Sequence, residues 1–593
     1  MNRKQCEGAA WGKRFLMLCT VILSASLAFA GARKMSKDLE GKNASDQVDV
    51  IVQFTQTPTA RHHQKVLSRG GTLNRELGLV KSGAYTMRAS ALEDLANDPD
   101  VAYISPDRPV NGMLDLTAAA VNASAAWSSG YTGSSIGVAV IDSGIAPHSA
   151  FLTGPLPNGT LRIVYNQDFT GDTNSSNIYD PYGHGTHVAG ILGAQSSVTV
   201  LGWSGAAYTG GRNLQGIAPG VSLINLRVLN SAGVGTDSAV IAAIQKAIAL
   251  KSQYNIRVIN LSLGRPVYES YKLDPLDQAV EQAWKAGIVV VVAAGNEGRN
   301  NSANTSGYGT ITAPGNDPYV ITVGAMKTMG TPQRSDDLIA SYSSKGPTLY
   351  DHVVKPDLVA PGNQVVSLAT PASYDSGVGL WDDYASTHIL TTYYDPAAWP
   401  GTDTWYYRIS GTSMATPVVS GAAAILLQQH PTLTPDQVKA RLMKTAYKTF
   451  PLYSTATDPV TGATYSSQYD IFTVGAGYLD IQAALSNTDL ASTKTGSALS
   501  PTVTQDKSGN TVLVNGTGVV WGSGVVWGTG VVWGTGVIWG TNVNGQSVLW
   551  GSSVCWGTSS MQGYGVVWGT GVVWGTSSTP AGESTAILIN GEN

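Results

Sequence analysis

The chain has 593 residues, 68 of them glycine, with 13% charged and 43% hydrophobic side chains. That length calls for more than one domain, and the low charge beside ample apolar content excludes a mostly disordered chain. A net charge of -4 leaves no basic footprint for general nucleic-acid binding, and no apolar run after residue 30 reaches membrane-spanning length.

Residues 1–30 read as a secretory signal. Arg3, Lys4, Lys13 and Arg14 precede the apolar Phe15–Leu27, and Ala28-Phe29-Ala30 offers small residues at a cleavage position. A secreted, extracellular product is expected, with a periplasmic or surface-associated one as the alternative. Cys6 and Cys19 fall in this segment, so Cys555 stands alone after it. One thiol forms no intrachain disulfide and supports no zinc site built on Cys pairs.

Residues 31–113 hold the extended run Val48–Phe54, helix-like stretches at Arg61–Arg69 and Ala89–Asn97, and a closing strand at Val101–Ile104. Strand, helix, strands, helix, strand is the order of a small α+β domain. Residues 114–488 alternate β-branched runs (Ile136–Ile141, Val221–Val228, Val258–Leu263, Ile288–Val292) with Ala-rich helical runs, as an α/β parallel sheet does. Residues 489–515 are Ser/Thr-rich and read as a linker, 516–576 are repetitive, and 577–593 form a last segment.

Four segments of the α/β region carry chemistry. A buried-type strand ends at Asp142-Ser143-Gly144, placing a carboxylate at the carboxyl edge of the sheet, where open α/β sheets put their sites; as a lone feature it reads equally as a helix cap. In Gly183-His184-Gly185-Thr186-His187, a histidine between glycines at a helix start can approach a serine closely as general base. No Glu follows the first His as in zinc peptidase helices, so no metal is assigned, and His187 is expected to be structural. Ser413, in Gly411-Thr412-Ser413-Met414-Ala415-Thr416-Pro417, sits where a buried Ala-rich helix begins; it reads as a nucleophile or as a cap. Asn296 ends the apolar strand Val289–Ala293, as a turn residue or as an amide donor to an oxyanion.

Together these segments, in the order Asp, His, Asn, Ser, resemble the subtilisin-like serine proteases (subtilases) over about residues 114–488. The resemblance implies a three-layer parallel-sheet catalytic domain. It implies that Asp142 orients His184, that His184 takes the proton of Ser413, and that Asn296 with the Ser413 N–H holds the oxyanion. Loss of such an Asn donor costs roughly 100- to 1,000-fold in turnover, a magnitude taken from subtilisin itself. Gly233-Val234-Gly235 and Ser262-Leu263-Gly264 resemble the two segments that pair with substrate backbone, and Ala293-Ala294-Gly295 would form a second pocket wall. The pocket floor would fall in Asn300–Thr312. Residues 31–113 resemble the family's propeptide, an intramolecular chaperone and inhibitor, with its processing junction near Met113. The partners implied are protein or peptide substrates and the chain's own propeptide, not nucleic acid.

No cofactor is expected for the chemistry. Structural calcium is left open, because His148-Ser149-Ala150 lacks the acid often found there and the loop from Gly193 to Ala218 is rearranged. An aromatic insertion at about 370–405 (Trp381, Tyr384, Tyr393, Tyr394, Trp399, Trp405) precedes the nucleophile; it reads as packing over the domain or as a substrate rim.

In the tail, Trp521, Trp527, Trp533 and Trp539 recur every six residues in Gly-Val-Val-Trp-Gly-Thr, and Trp550, Trp556, Trp568 and Trp574 continue the pattern imperfectly. An even period puts every Trp on one face of an extended strand, so a repetitive β tail is expected. Its Trp face either builds the tail's own core or docks on a cell surface or polysaccharide. Truncation after about residue 490 is expected to spare peptide hydrolysis. The function expected is a secreted, self-processing serine endopeptidase; the alternative is a surface-binding repeat protein with an inert protease domain.

Overall fold

The computed structural model describes residues 34–36, 39, 43–106, 113–153, 159–172, 179–195, 215–302, 304–370, 388–389, 406–458, 461–505 and 511–513, short strands of the tail, and residues 588, 591 and 592. The chain divides into two compact units, Met1–Val110 and Asn111–Asn593.

In the first unit, β1 (Gln47–Phe54), α1 (Ala60–Leu67), β2 (Thr72–Leu77), β3 (Ser82–Arg88), α2 (Leu92–Ala96) and β4 (Val101–Pro106) follow in order. The strands pair antiparallel as β2-β3-β1-β4. Val50, Val52 and Phe54 alternate along β1 and are buried with Val66 and Leu95 from the helices, so one face of the sheet is covered by them. The expected junction near Met113 falls at the first residue of the helix Met113–Ala120; residues 107–112 before it lie outside the described ones.

In the second unit, β5 (Gly137–Asp142), β6 (Ile163–Asp168), β7 (Ser222–Arg227), β8 (Ile256–Leu261), β9 (Val289–Ala293), β10 (Ile321–Lys327), β11 (Leu338–Ile339) and β12 (Leu358–Pro361) make one sheet. Its order is β11-β10-β9-β8-β5-β7-β6, with β12 also on β10. Only the β10–β11 pair is antiparallel. Every residue of β5, β9 and β10 is buried, which requires cover on both faces. Helices α4 (Asp237–Tyr254) and α5 (Pro275–Lys285) pack together against β5, β8 and β9; α6 (Thr412–Gln429) crosses β8, β9 and β10 beside α3 (His184–Gly193). The α/β expectation is met, and consecutive apolar residues, not alternation, signalled it.

The segment expected as a linker is, over its first part, built into this body. Ser500 is buried, and its hydroxyl donates to Asp357 Oδ1 at 2.5 Å while accepting from Lys439 Nζ at 2.8 Å. The N–H of Ala498 donates to Asp436 Oδ1 at 2.7 Å, and Gln437 Nε2 donates to the Ala491 carbonyl at 2.8 Å. The Ser500 hydroxyl and the Ala498 N–H thus add partners to buried charges of the sheet and helix. Residues 371–387 and 390–405 of the aromatic insertion, and 196–214 of the rearranged loop, lie outside the described residues. So do residues 1–33 and most of the repeat. Short strands are described at Val520–Trp521, Val525–Trp527, Val531–Trp533, Val537–Trp539 and Val554–Cys555, without their side chains.

Candidate active site

Parallel strands β5, β8 and β9 are neighbours, so their carboxyl ends deliver Asp142, Ser262 and Asn296 to one edge of the sheet. Helices α3 and α6 bring His184 and Ser413 to the site on their first turns, and the two helices pack against each other.

His184 Nδ1 and Asp142 Oδ1 are 2.7 Å apart, and both residues are buried. The same oxygen accepts the N–H of Ser143 at 2.7 Å, which fixes the carboxylate in its turn. Burial alone would lower the His184 pKa; the charge and hydrogen bond of Asp142, with the charge of Asp180 behind them, outweigh it and hold the pKa above its ordinary value. The imidazole is thus oriented with its second nitrogen left for another partner.

Asp180 was not singled out by sequence reasoning, and it organises the turn. Its Oδ1 accepts from the Ser143 hydroxyl at 2.7 Å and the Gly183 N–H at 2.8 Å, and its Oδ2 from the Thr186 N–H at 2.6 Å. The Ser143 hydroxyl in turn accepts the Gly185 N–H at 2.9 Å, stitching the Asp142 and His184 loops together. Gly144 (φ +125°) has no room for a side chain: a Cβ there would lie 1.7 Å from the Tyr179 carbonyl oxygen. An acid four positions before a histidine at a helix start was the available signal.

His187 is buried, with Nε2 3.1 Å from the Val365 carbonyl and its ring edge-on to Tyr407 at 4.9 Å. Burial, then the nearby His184 charge, pushes its pKa down to about 3, so it stays neutral. The structural expectation for it holds. His148 caps its own short turn by accepting the Ala150 N–H at 3.0 Å, and burial pushes its pKa down to about 4.

Ser413 is half-buried at the second position of α6. Its Oγ donates to the Ser262 carbonyl at 3.1 Å, and Ser262 Oγ returns a bond to the Ser413 carbonyl at 2.8 Å. Asn296 Oδ1 accepts both the N–H of Thr412 at 2.9 Å and its hydroxyl at 3.0 Å, so the Nδ2 end of the amide is the one left to donate. A Cβ on Gly411 would lie 3.3 Å from that Nδ2, so the amide lies against the turn that introduces Ser413.

The expected substrate segments lie where strands leave the sheet. Val234 and Gly235 are exposed in a loop held by Asn230, whose Oδ1 accepts the N–H groups of Ala232 at 2.9 Å and Val234 at 3.0 Å; Gly233 takes φ +72° there. Ser262 is buried, Leu263 half-buried and Gly264 exposed. Ala293 and Ala294 are enclosed, and Ala294 uses its N–H on Val323 and its carbonyl on Thr312, so Gly295 is the accessible residue of that wall. Thr312–Ala313 ties the walls together, with Thr312 bonded to Ala294 and Ala313 to Arg265 in both directions. Among the described residues no group of three His, Cys, Asp or Glu side chains could hold a metal ion, and no helix is long and apolar enough to cross a membrane.

Residues 133–492 match the Subtilase family (Peptidase_S8). The chain is 37% identical to serine protease AprX of Bacillus subtilis (strain 168), across 60% of this chain and 71% of that protein. It is 33% identical to subtilisin E of the same organism, across 72% and 92%. It is 29% identical to the alkaline protease of Alkalihalobacillus alcalophilus, across 72% and 91%. With its mostly parallel sheet and a carboxylate–imidazole pair at the carboxyl edge, the chain belongs to the subtilase family and is a serine endopeptidase.

Proposed function

We propose that Asp142, His184 and Ser413 are the catalytic triad, with Asn296 as oxyanion donor, in an exported enzyme that processes its own precursor. The observation that carries the assignment is the 2.7 Å His184–Asp142 contact beside an Asn296 amide whose oxygen is already taken by Thr412. Asp142 holds the tautomer in which Nδ1 bears the proton, leaving Nε2 as base. Rotation of the Ser413 hydroxyl away from the Ser262 carbonyl turns it toward that base. As Oγ bonds to the peptide carbonyl carbon, its proton passes to Nε2, and Asp142 stabilises the imidazolium. The Ser413 N–H, one of the helix-start donors without an intrahelical partner, and Asn296 Nδ2 take the developing oxyanion. His184 then gives the proton to the leaving amine, and water repeats the sequence to release the acid. The chain's own residues suffice for these steps; calcium would serve stability alone. Covalent labelling by a fluorophosphonate probe tests the assignment: the wild-type protein should label at Ser413 and Ser413→Ala should not, whereas labelling elsewhere would refute it.

Substrates are proteins or peptides. In the proposed binding mode an extended chain lies between Gly233–Gly235 and Ser262–Gly264, with its side chain entering beside Gly295; apolar residues are the expected class. Residues 31 to about 113 act as chaperone and product-like inhibitor until removed. The antiparallel α+β unit supports that role, because its core is a cluster of its own. The signal of residues 1–30 directs export, and the Trp face of 516–576 serves as tail core or as a dock for a cell surface or polysaccharide.

A further inference from the structure

The catalytic body contains an acid-accepting socket outside the site described above. Arg299, Lys327, Ser341 and Asn363, all buried, converge from the end of β10 and from the segments that follow β9, β11 and β12. Glu592, itself buried, fills it. Arg299 donates to its carboxylate at 2.6 Å, Lys327 Nζ lies 3.4 Å away, and both the N–H and the hydroxyl of Ser341 donate to it. The backbone of the same residue is read as well. Asn363 Oδ1 accepts the Glu592 N–H at 2.9 Å, while Asn363 Nδ2 and Gln364 Nε2 donate to its carbonyl at 2.7 and 3.2 Å. Gly591 adopts φ +60°, and a Cβ there would fall 2.5 Å from Ser410 Oγ. The Ser410 N–H donates to the Leu588 carbonyl at 2.8 Å. Backbone and carboxylate recognition, two cations and a glycine-only approach make a fitted seat.

The seat adjoins the catalytic residues from behind. Arg299 follows Asn296 on the same turn, and the Gly298 N–H there donates to the Tyr342 carbonyl at 2.8 Å, one residue from Ser341. The Gly411 N–H donates to the Gly362 carbonyl at 2.8 Å, next to Asn363, and Gln364 N–H donates to Ser410 Oγ at 2.8 Å. Without the acid, Arg299 would keep Asp458 at 2.5 Å, but Lys327 and the Ser341 N–H would lose a buried anion.

We propose that the segment bearing Leu588, Gly591 and Glu592 is an intramolecular ligand of this socket, and that its occupancy positions the Asn296 turn and the Ser410–Ser413 turn for catalysis. Glu592 is a positioning residue, since it acts through Arg299, Ser341 and Asn363. The kinetic part rests on the assignment of Ser413 and Asn296 above; the binding part does not.

The test inserts a recognition site for a foreign sequence-specific protease between residues 577 and 585, so that the folded protein can be severed. Binding is read in the Ser413→Ala background with a fluorescent synthetic peptide of residues 584–593. The severed segment should remain bound and exchange saturably with the labelled peptide. Peptides carrying Glu592→Gln or Gly591→Ala should bind at least about 30-fold more weakly, as expected when one partner of a buried charge pair is removed or its seat obstructed. In the active protein, emptying the socket should lower kcat about tenfold or more with KM little changed. The wild-type peptide should restore it, and the peptide carrying Glu592→Gln should not. Should the emptied protein unfold, the uncut Glu592→Gln chain is compared with wild type, and the same loss of kcat is expected. Loss of the peptide without change in kcat, equal binding of the wild-type and Glu592→Gln peptides, or an uncut Glu592→Gln chain with wild-type kcat would overturn the proposal. If labelling places the nucleophile elsewhere while the peptide still binds, the socket stands and the catalytic assignment falls.

Discussion

Ser262 and Ser413 exchange hydrogen bonds, each hydroxyl donating to the other's carbonyl, at 2.8 and 3.1 Å. The segment expected to pair with substrate therefore also holds the turn of Ser413, the proposed nucleophile, in register. Ser262 Oγ further accepts from Asn260 Nδ2 at 3.0 Å. Ser262→Ala removes the first of these bonds and leaves the carbonyl in place. A net hydrogen bond is worth about 0.5–1.5 kcal/mol, so steady-state kinetics should show kcat/KM reduced roughly 2- to 10-fold. A loss comparable to that of Ser413→Ala would mean that Ser262 takes part in the chemistry directly.

Asn296 has two tasks that mutation can separate. Asn296→Ala removes the proposed oxyanion donor and the acceptor of both Thr412 bonds, and should lower kcat roughly 100- to 1,000-fold with little change in KM. Thr412→Val keeps the N–H bond to Asn296 Oδ1 but removes the hydroxyl contact at 3.0 Å and the hydroxyl that accepts the Gly295 N–H at 3.2 Å, and should cost about tenfold or less. Equal effects would place the catalytic contribution in the turn and not in the amide.

The pH profile follows from His184. The base must be neutral, and Asp142 and Asp180, against burial, hold its pKa above the ordinary value. The acid limb of kcat/KM should therefore have its midpoint above about 6.5, with activity lost as pH falls through it. Asp180→Asn removes one of the charges that raise the pKa and should shift that limb to lower pH. A wild-type midpoint near pH 4 would contradict His184 as base.

Asp180→Ala strands the Gly183 and Thr186 N–H groups and the Ser143 hydroxyl in a buried turn. Each stranded donor costs about 1–3 kcal/mol, so denaturant unfolding should show a loss of at least about 2 kcal/mol, together with reduced kcat. Unchanged stability would mean that the turn holds without its acid.

Chains ending at residue 490 and at residue 505 should differ sharply. The shorter one loses Ser500 from Asp357 and Lys439, and Ala498 from Asp436, all buried. Lys439, whose pKa burial lowers to about 7 against the pull of Asp357, would keep Asp357 and the carbonyls of Pro318, Tyr319 and Val320 but lose the Ser500 hydroxyl. Thermal unfolding should show the shorter chain melting well below the longer. Coincident melts would restore the dispensable-linker reading.

The sequence exposed the local shapes of the proposed site. Asp142 ends a wholly apolar strand, His184 lies between glycines at a helix start, and Ser413 lies in the first turn of an Ala-rich buried helix; each alone has another reading, and only the segments together carry the resemblance. Asp180 escaped notice because an acid in a polar loop resembles any turn acid until Ser143 meets it across 37 positions. Ser500 escaped because composition marks linkers, whereas burial of a hydroxyl on Asp357 is a tertiary event. Glu592 meets Arg299 from 293 positions away, beyond the reach of any periodicity or spacing argument.

That separation sets an order in time. During synthesis the strands of the sheet, His184 and Ser413 all emerge before the tryptophan repeats, and Glu592 emerges after them. The seat between Arg299, Lys327 and Asn363 therefore stays empty until the ribosome has passed the whole tail. A chain that stops within the repeats carries Asp142, His184 and Ser413 but not Glu592, so on this proposal its seat beside the Asn296 turn stays empty.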